Sequence, residues 1–99
     1  MNVPATILHQ LGGARFIAMT GSKHFVGGDT TLTMKLVDNK LGATHLRINL
    51  EPMDWYKLTF LKCSVRTAGD PKILREVDGV YFDKLREVLT ECTGLYTSL

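Results

Sequence analysis

The sequence predicts an α+β domain: an antiparallel meander of three to five strands, with a short N-terminal helix and a longer C-terminal helix packed on one face. Three observations point there. The segments "TTLTMKLV" (30–37) and "HLRINLE" (45–51) alternate apolar and polar residues, the period of two of half-buried antiparallel strands. The link between them, "DNKLGAT", is rich in turn residues and of hairpin length. Toward the C-terminus Tyr81, Leu85, Val88, Leu89 and Cys92 recur at i, i+4, i+7, i+8 and i+11, one apolar stripe of a helix.

In chain order, residues 4–11 read as a helix that begins at Pro4 and stops at Gly12-Gly13. It is too short to form alone, so docking through Ile7, Leu8 and Leu11 must hold it. Arg15–Met19 is an apolar run, read as a short strand. Residues 20–29, with Gly21, Gly27 and Gly28, read as loop, with one helical turn near Lys23–Val26 and Phe25 as an anchor. The two alternating strands follow, with Leu32, Met34, Leu36, Leu46, Ile48 and Leu50 directed to the core.

Pro52 interrupts pairing, and "WYKLTFLKCSV" (55–65) is a third long strand. Tyr56, Leu58 and Phe60 share one parity, whereas Leu61, Cys63 and Val65 have the other. Either a bulge near Phe60-Leu61 changes the register or both faces are partly covered there. "RTAGDP" reads as a turn and "KILREV" as a further strand at the edge. Asp78 is the expected cap of the last helix, and Gly94 followed by Leu95 its left-handed end.

The totals fit one domain spanning residues 1–99, with 44% apolar and 22% charged residues. A formal charge of +2 permits nucleic-acid binding without arguing for it. Cys63 and Cys92 form no CxxC pattern and read as reduced core thiols of a cytoplasmic protein. No apolar run approaches the roughly 18 residues of a membrane span. Met1-Asn2-Val3-Pro4 lacks the basic-then-apolar pattern of a secretory leader, so none is expected.

"FIAMTGSKHF" (16–25), "TLTMKL" (31–36) and "VLTECTGLYTSL" (88–99) resemble a family of small proteins found in phages and other mobile elements. The typical form opens with "QLGG-x-[KR]F" and closes near "TGLYT", so the likeness runs from Leu11 to Thr97. His24 stands where that form carries asparagine. The resemblance implies a mobile-element setting and a cytoplasmic site of action. It implies no catalytic residues.

No catalytic constellation is evident. Thr20-Gly21-Ser22-Lys23-His24 has the ingredients of an anion-binding nest, yet GxxxxGK[ST] and GxGxxG are both missing, and a plain glycine turn is the favoured reading. Ser22 and His24 stand two apart with no carboxylate to orient the ring, a poor nucleophile and base. His9, His24 and His45 lie in separate elements without metal-ligand spacing, so no metal or cofactor is expected. Asp29, Asp38, Asp54 and Asp70 sit in turn contexts, and Glu87 and Glu91 on the polar side of the helix.

The remaining candidate is the sheet face away from the helices. A meander would bring Thr31, Thr33 and Lys35, then His45, Arg47 and Asn49, then Trp55, Lys57 and Thr59 onto one surface. Such a face suits a partner protein, a second copy of the chain, single-stranded nucleic acid, or solvent alone. The expectation is therefore a non-enzymatic accessory protein of a phage or mobile element. It would bind a host or phage macromolecule, a protein before a nucleic acid, through Lys23, His24, Lys35, His45, Arg47, Asn49, Trp55 and Lys57. Inhibition of a defence component is one form of that reading. A small nucleic-acid-binding protein is the alternative, and an enzyme or nucleotide binder at Gly21–His24 the third.

Overall fold

The computed structural model describes residues 2–63 and 71–95. Their order is α1 (Val3–Leu11), α2 (Ala14–Thr20), β1 (Lys23–Gly27), β2 (Thr31–Lys35), β3 (His45–Leu50), β4 (Tyr56–Lys62), β5 (Lys72–Val80), a 3-10 turn (Phe82–Lys84) and α3 (Leu85–Thr93). The strands form one sheet in the order β1-β2-β3-β4-β5, every neighbouring pair antiparallel. This is the meander that the alternation predicts.

The N-terminal helix forms where expected because both ends are satisfied. The Asn2 side chain accepts a hydrogen bond from the Ala5 N–H at 3.1 Å, and the Gly12 N–H returns to the His9 carbonyl at 3.0 Å. Ile7 and Leu11, one turn apart, are fully buried. They meet a core built from Leu32, Met34, Leu46, Ile48, Leu58 and Phe60 of the sheet and Leu85, Leu89 and Cys92 of α3. Each large side chain buried this way contributes roughly 1.5–3 kcal/mol before chain entropy is subtracted. The core lies on one side of the sheet, and among the described residues the opposite side carries no helix.

Several elements differ from the sequence reading. Residues 15–19 are not a strand but the middle of α2. Phe16 and Thr20 are its buried residues, four apart, a spacing that five consecutive apolar residues conceal. Residues 23–27 are not loop but the edge strand β1. Its burial pattern is almost wholly exposed, so pairing with β2 makes it a strand and Phe25 alone packs toward the core. A register shift between Lys23 and Val26 accommodates His24, whose φ is +56°. Asparagine, aspartate and histidine tolerate that left-handed conformation better than most residues.

The C-terminal helix is shorter than the stripe implies: α3 spans nine residues, the same as α1. Asp78 does not cap it. β5 continues to Val80, and the Asp78 carboxylate accepts from the Gly79 N–H at 2.8 Å. Tyr81 leaves the stripe and is 56% exposed, because the chain reaches α3 through the 3-10 turn. Gly94 does end the helix in the left-handed conformation, φ 78°.

The parity conflict in β4 has a clear resolution. β3 and β4 pair without interruption from Leu50↔Tyr56 to His45↔Leu61, so Leu61 points away from the core. It is nevertheless 5% exposed, so both faces are covered at that point. The irregularity near Phe60 and Leu61 belongs to the β4–β5 ladder. Cys92 is a core thiol as expected, whereas Cys63 is exposed, just past the end of β4. Val65, most of the "RTAGDP" turn, Asp70 and the end of "TGLYT" lie outside the described residues.

Candidate binding face

Residues directly opposite in an antiparallel ladder share a face. The register therefore assigns the helix-free surface row by row. One row runs Lys23–Lys35–His45–Leu61–Ile73 across all the strands. The next runs Val26–Thr33–Arg47–Thr59–Glu76, and a third Thr31–Asn49–Lys57. Lys35, His45, Arg47, Asn49 and Lys57 thus project to one side, as the sequence predicts.

Their environments differ. Lys57 is bound to Glu76, 3.3 Å from Nζ to Oε1, so its charge is largely spent within the face. Among the described residues the other ion pair is Lys84–Glu87, from the 3-10 turn to α3, and so Lys23, Lys35 and Arg47 have no described carboxylate within 4 Å. Asp38 lines a recess beside Lys35 without pairing to it. Asn49 is half-buried, and its Oδ1 is enclosed without a hydrogen-bond partner. Trp55 precedes β4 and packs edge-to-face on Tyr81, centroids 6.3 Å apart and planes at 85°. The indole sits at the opposite end of the strands from Lys35 and His45, so aromatic and cations are not brought together.

His45 records the cationic setting. Burial, then the Lys35 ammonium, then the His24 imidazole hold its pKa below that of an ordinary histidine. Its Nδ1 lies 2.8 Å from the Thr44 hydroxyl, which also accepts the Cys63 N–H at 2.8 Å. Lys23 and Lys35 oppose each other directly, an arrangement that destabilises a strand pair.

A larger pattern escaped the sequence reading. At one end of the sheet every strand carries a basic residue: Lys23 opens β1, Lys35 closes β2, His45 opens β3, Lys62 closes β4 and Lys72 opens β5. Lys62 and Lys72 are themselves cross-strand partners. At about 4.8 Å per strand this rim is roughly 19 Å wide. The other end gathers acids: Glu51 follows β3, Asp54 precedes β4 and Asp78 lies near the end of β5. The signal is present in the sequence as the alternation of strand direction with charge, but it requires the strand boundaries to be known.

Thr20-Gly21-Ser22 is a helix terminus rather than an anion nest. Gly21 ends α2 with φ 65°, and its N–H is used by the Ile17 carbonyl. A β-carbon there would come within 2.6 Å of Val37 Cγ1, so the glycine is required twice over. Ser22 is buried, its Oγ 2.8 Å from Thr20 Oγ1, while its N–H points to the same oxygen at 3.3 Å. Thr20 donates in turn to the Phe16 carbonyl at 2.7 Å. The N–H groups and the hydroxyl that would hold an anion or act as a nucleophile are thus occupied internally. Lys23 and His24 join the basic rim instead.

Among the described residues no three His, Cys, Asp or Glu side chains come together as a metal-holding group, and no helix is long and apolar enough to cross a membrane. Comparison with protein-family models, curated proteins and solved structures found no match to the chain.

Proposed function

We propose that this chain is a non-enzymatic binding protein whose helix-free sheet face seats an acidic surface of a partner protein. The observation that supports this most is the pair Lys23–Lys35, like charges placed side by side next to His45, with no carboxylate of the described residues within ion-pair distance. Such a pair costs stability in the free protein and is compensated when an anionic group is laid across it. Two exposed aliphatic residues, Val26 at 64% and Ile73 at 57%, flank the cations on the same face. Cations mixed with exposed aliphatics suit a protein surface. Single-stranded nucleic acid would call for aromatic rings among the cations, and Trp55 stands apart from them. A phage or mobile-element setting, in the cytoplasm of the host, rests on the resemblance of the "FIAMTGSKHF" and "TLTMKL" segments. In that setting the protein acts by occupying a surface, with inhibition of a host defence component as the form to test first.

The test is affinity capture from phage-infected cell lysate. Lys23→Glu/Lys35→Glu/Arg47→Glu is compared with wild type and with a control reversal on α3, Arg86→Glu. The expected result is a partner held by wild type and the control and lost, at least tenfold, by the triple variant. Capture unaffected by the triple variant overturns the reading. Binding of a single-stranded oligonucleotide that weakens steeply with salt would transfer the face to the nucleic-acid alternative.

A further inference from the structure

The acidic end of the sheet carries a feature that the basic face does not need. Trp55 and Tyr81 pair edge-to-face at the surface, and Tyr81 remains 56% exposed. Met53, two residues before Trp55, and Phe82, next to Tyr81, are 68% and 62% exposed. Large apolar side chains gathered at one end of a small domain mark an interaction surface. Beside Tyr81 a groove of about 260 Å³ opens between β5 and α3, floored by Val77, Val80 and Val88. That is below the roughly 300–1,000 Å³ of small-molecule sites and suits one or two inserted side chains.

The charge around this patch is net negative: three carboxylates and one lysine line the groove. Asp78 and Glu91 line the groove, and its lysine, Lys84, is paired with Glu87 at 3.4 Å. Glu51 and Asp54 belong to the tight turn that presents Trp55, closed by the Glu51 N–H on the Trp55 carbonyl at 2.9 Å. Carboxylates surrounding exposed aromatic rings select a cationic, partly apolar ligand, because a guanidinium or ammonium is attracted by both the ring face and the acids. We propose that this end of the sheet is a second docking surface, for a basic peptide segment of a partner protein in which arginine or lysine alternates with aliphatic residues. A cation of the segment lies against Trp55–Tyr81, and an aliphatic side chain enters the groove.

The segment docks by side chains, not as a sixth strand. The β4–β5 ladder is broken by two register shifts, Gly79 has a left-handed φ of 68°, and β5 bears Lys72, Arg75, Glu76 and Asp78. Bulges and charges of this kind are what protect an edge from strand addition. A second copy is disfavoured as occupant, since the chain's own basic rim is at the opposite end of the strands and would have to dock head to tail, in a ring or an open filament, not as the commoner two-fold dimer.

The chain has a single tryptophan, so Trp55 fluorescence reports on the site directly. The probe is an end-blocked peptide alternating arginine and leucine, titrated into the full chain. The expected result is a saturable change in Trp55 emission. Asp78→Asn/Glu91→Gln and Tyr81→Ser each weaken it about tenfold, whereas Tyr81→Phe retains it. The corresponding glutamate–leucine peptide does not bind. Lys35→Glu/Arg47→Glu leaves the titration unchanged, which separates this surface from the basic face, so either proposal can fail alone. No saturable change, equal binding of the glutamate peptide, or indifference to the Asp78/Glu91 and Tyr81 substitutions overturns it. So does self-association in sedimentation that the same substitutions abolish, since a second copy would then be the occupant.

Discussion

Lys35→Thr should make the free protein more stable, because the basic row works against the fold. Lys35 sits between Lys23 on one neighbouring strand and His45 on the other. Directly opposed like charges destabilise a pair by an amount on the scale of cross-strand interactions, about 0.2–1 kcal/mol. Threonine is at home on an exposed strand and continues the Thr31, Thr33 series. The substitution removes the full Lys23 repulsion and, while His45 is neutral, little more, so a gain of about 0.5 kcal/mol is expected at low ionic strength. For a domain of this size that is a rise in Tm of roughly 2–4 °C. In about 1 M salt the screening length falls to about 3 Å, and only the propensity part of the gain survives. Paired thermal and urea denaturation at both ionic strengths measures this, and a proton NMR titration of the His45 ring supplies an independent readout. Because Lys35 helps hold the His45 pKa down, the variant's His45 should titrate at higher pH. A variant less stable than wild type at low salt, with His45 unmoved, would refute the claim that these cations repel, and with it the main support for an anionic partner.

Three further outcomes follow from the same geometry. Leu58→Ala empties a fully buried position at the centre of the sheet and should cost about 2–5 kcal/mol in urea denaturation, a large share of the stability of a small domain. Thr20→Val leaves the buried Ser22 hydroxyl without its partner and should cost about 1–3 kcal/mol, while exposed Thr30→Val should be nearly neutral in the same assay. The lowered His45 pKa means that the folded chain binds fewer protons than the unfolded one; the stability it contributes is present above the ordinary value of 6.5 and is lost as pH falls through the folded value, and His45→Gln should flatten that slope in pH-dependent denaturation.

The alternating strands β2 and β3 were legible because a period of two is written locally, and burial on one side requires it. The same parity places Lys35, His45, Arg47 and Asn49 on one surface without any coordinates. α1 was legible from Pro4, Gly12 and the Ile7–Leu11 spacing. Residues 15–19 carried no usable period: five apolar residues suit a strand or a helix, and the burial of Phe16 with Thr20 decided for helix. β1 has almost no apolar alternation, and only the available edge of β2 makes it a strand. Asp78 resembles a helix cap in sequence, but β4 offers pairing partners as far as Val80, which delays the helix to Leu85. By itself, then, the sequence determined which side of the sheet is apolar and which residues share the other side, because side-chain parity is a property of the strand alone. Tertiary structure decided which of those charges are neutralised, as Lys57 is by Glu76, and which meet others of their own sign, as Lys23 meets Lys35. Those outcomes depend on distances between strands remote in the chain, and Coulombic energy is set by distance.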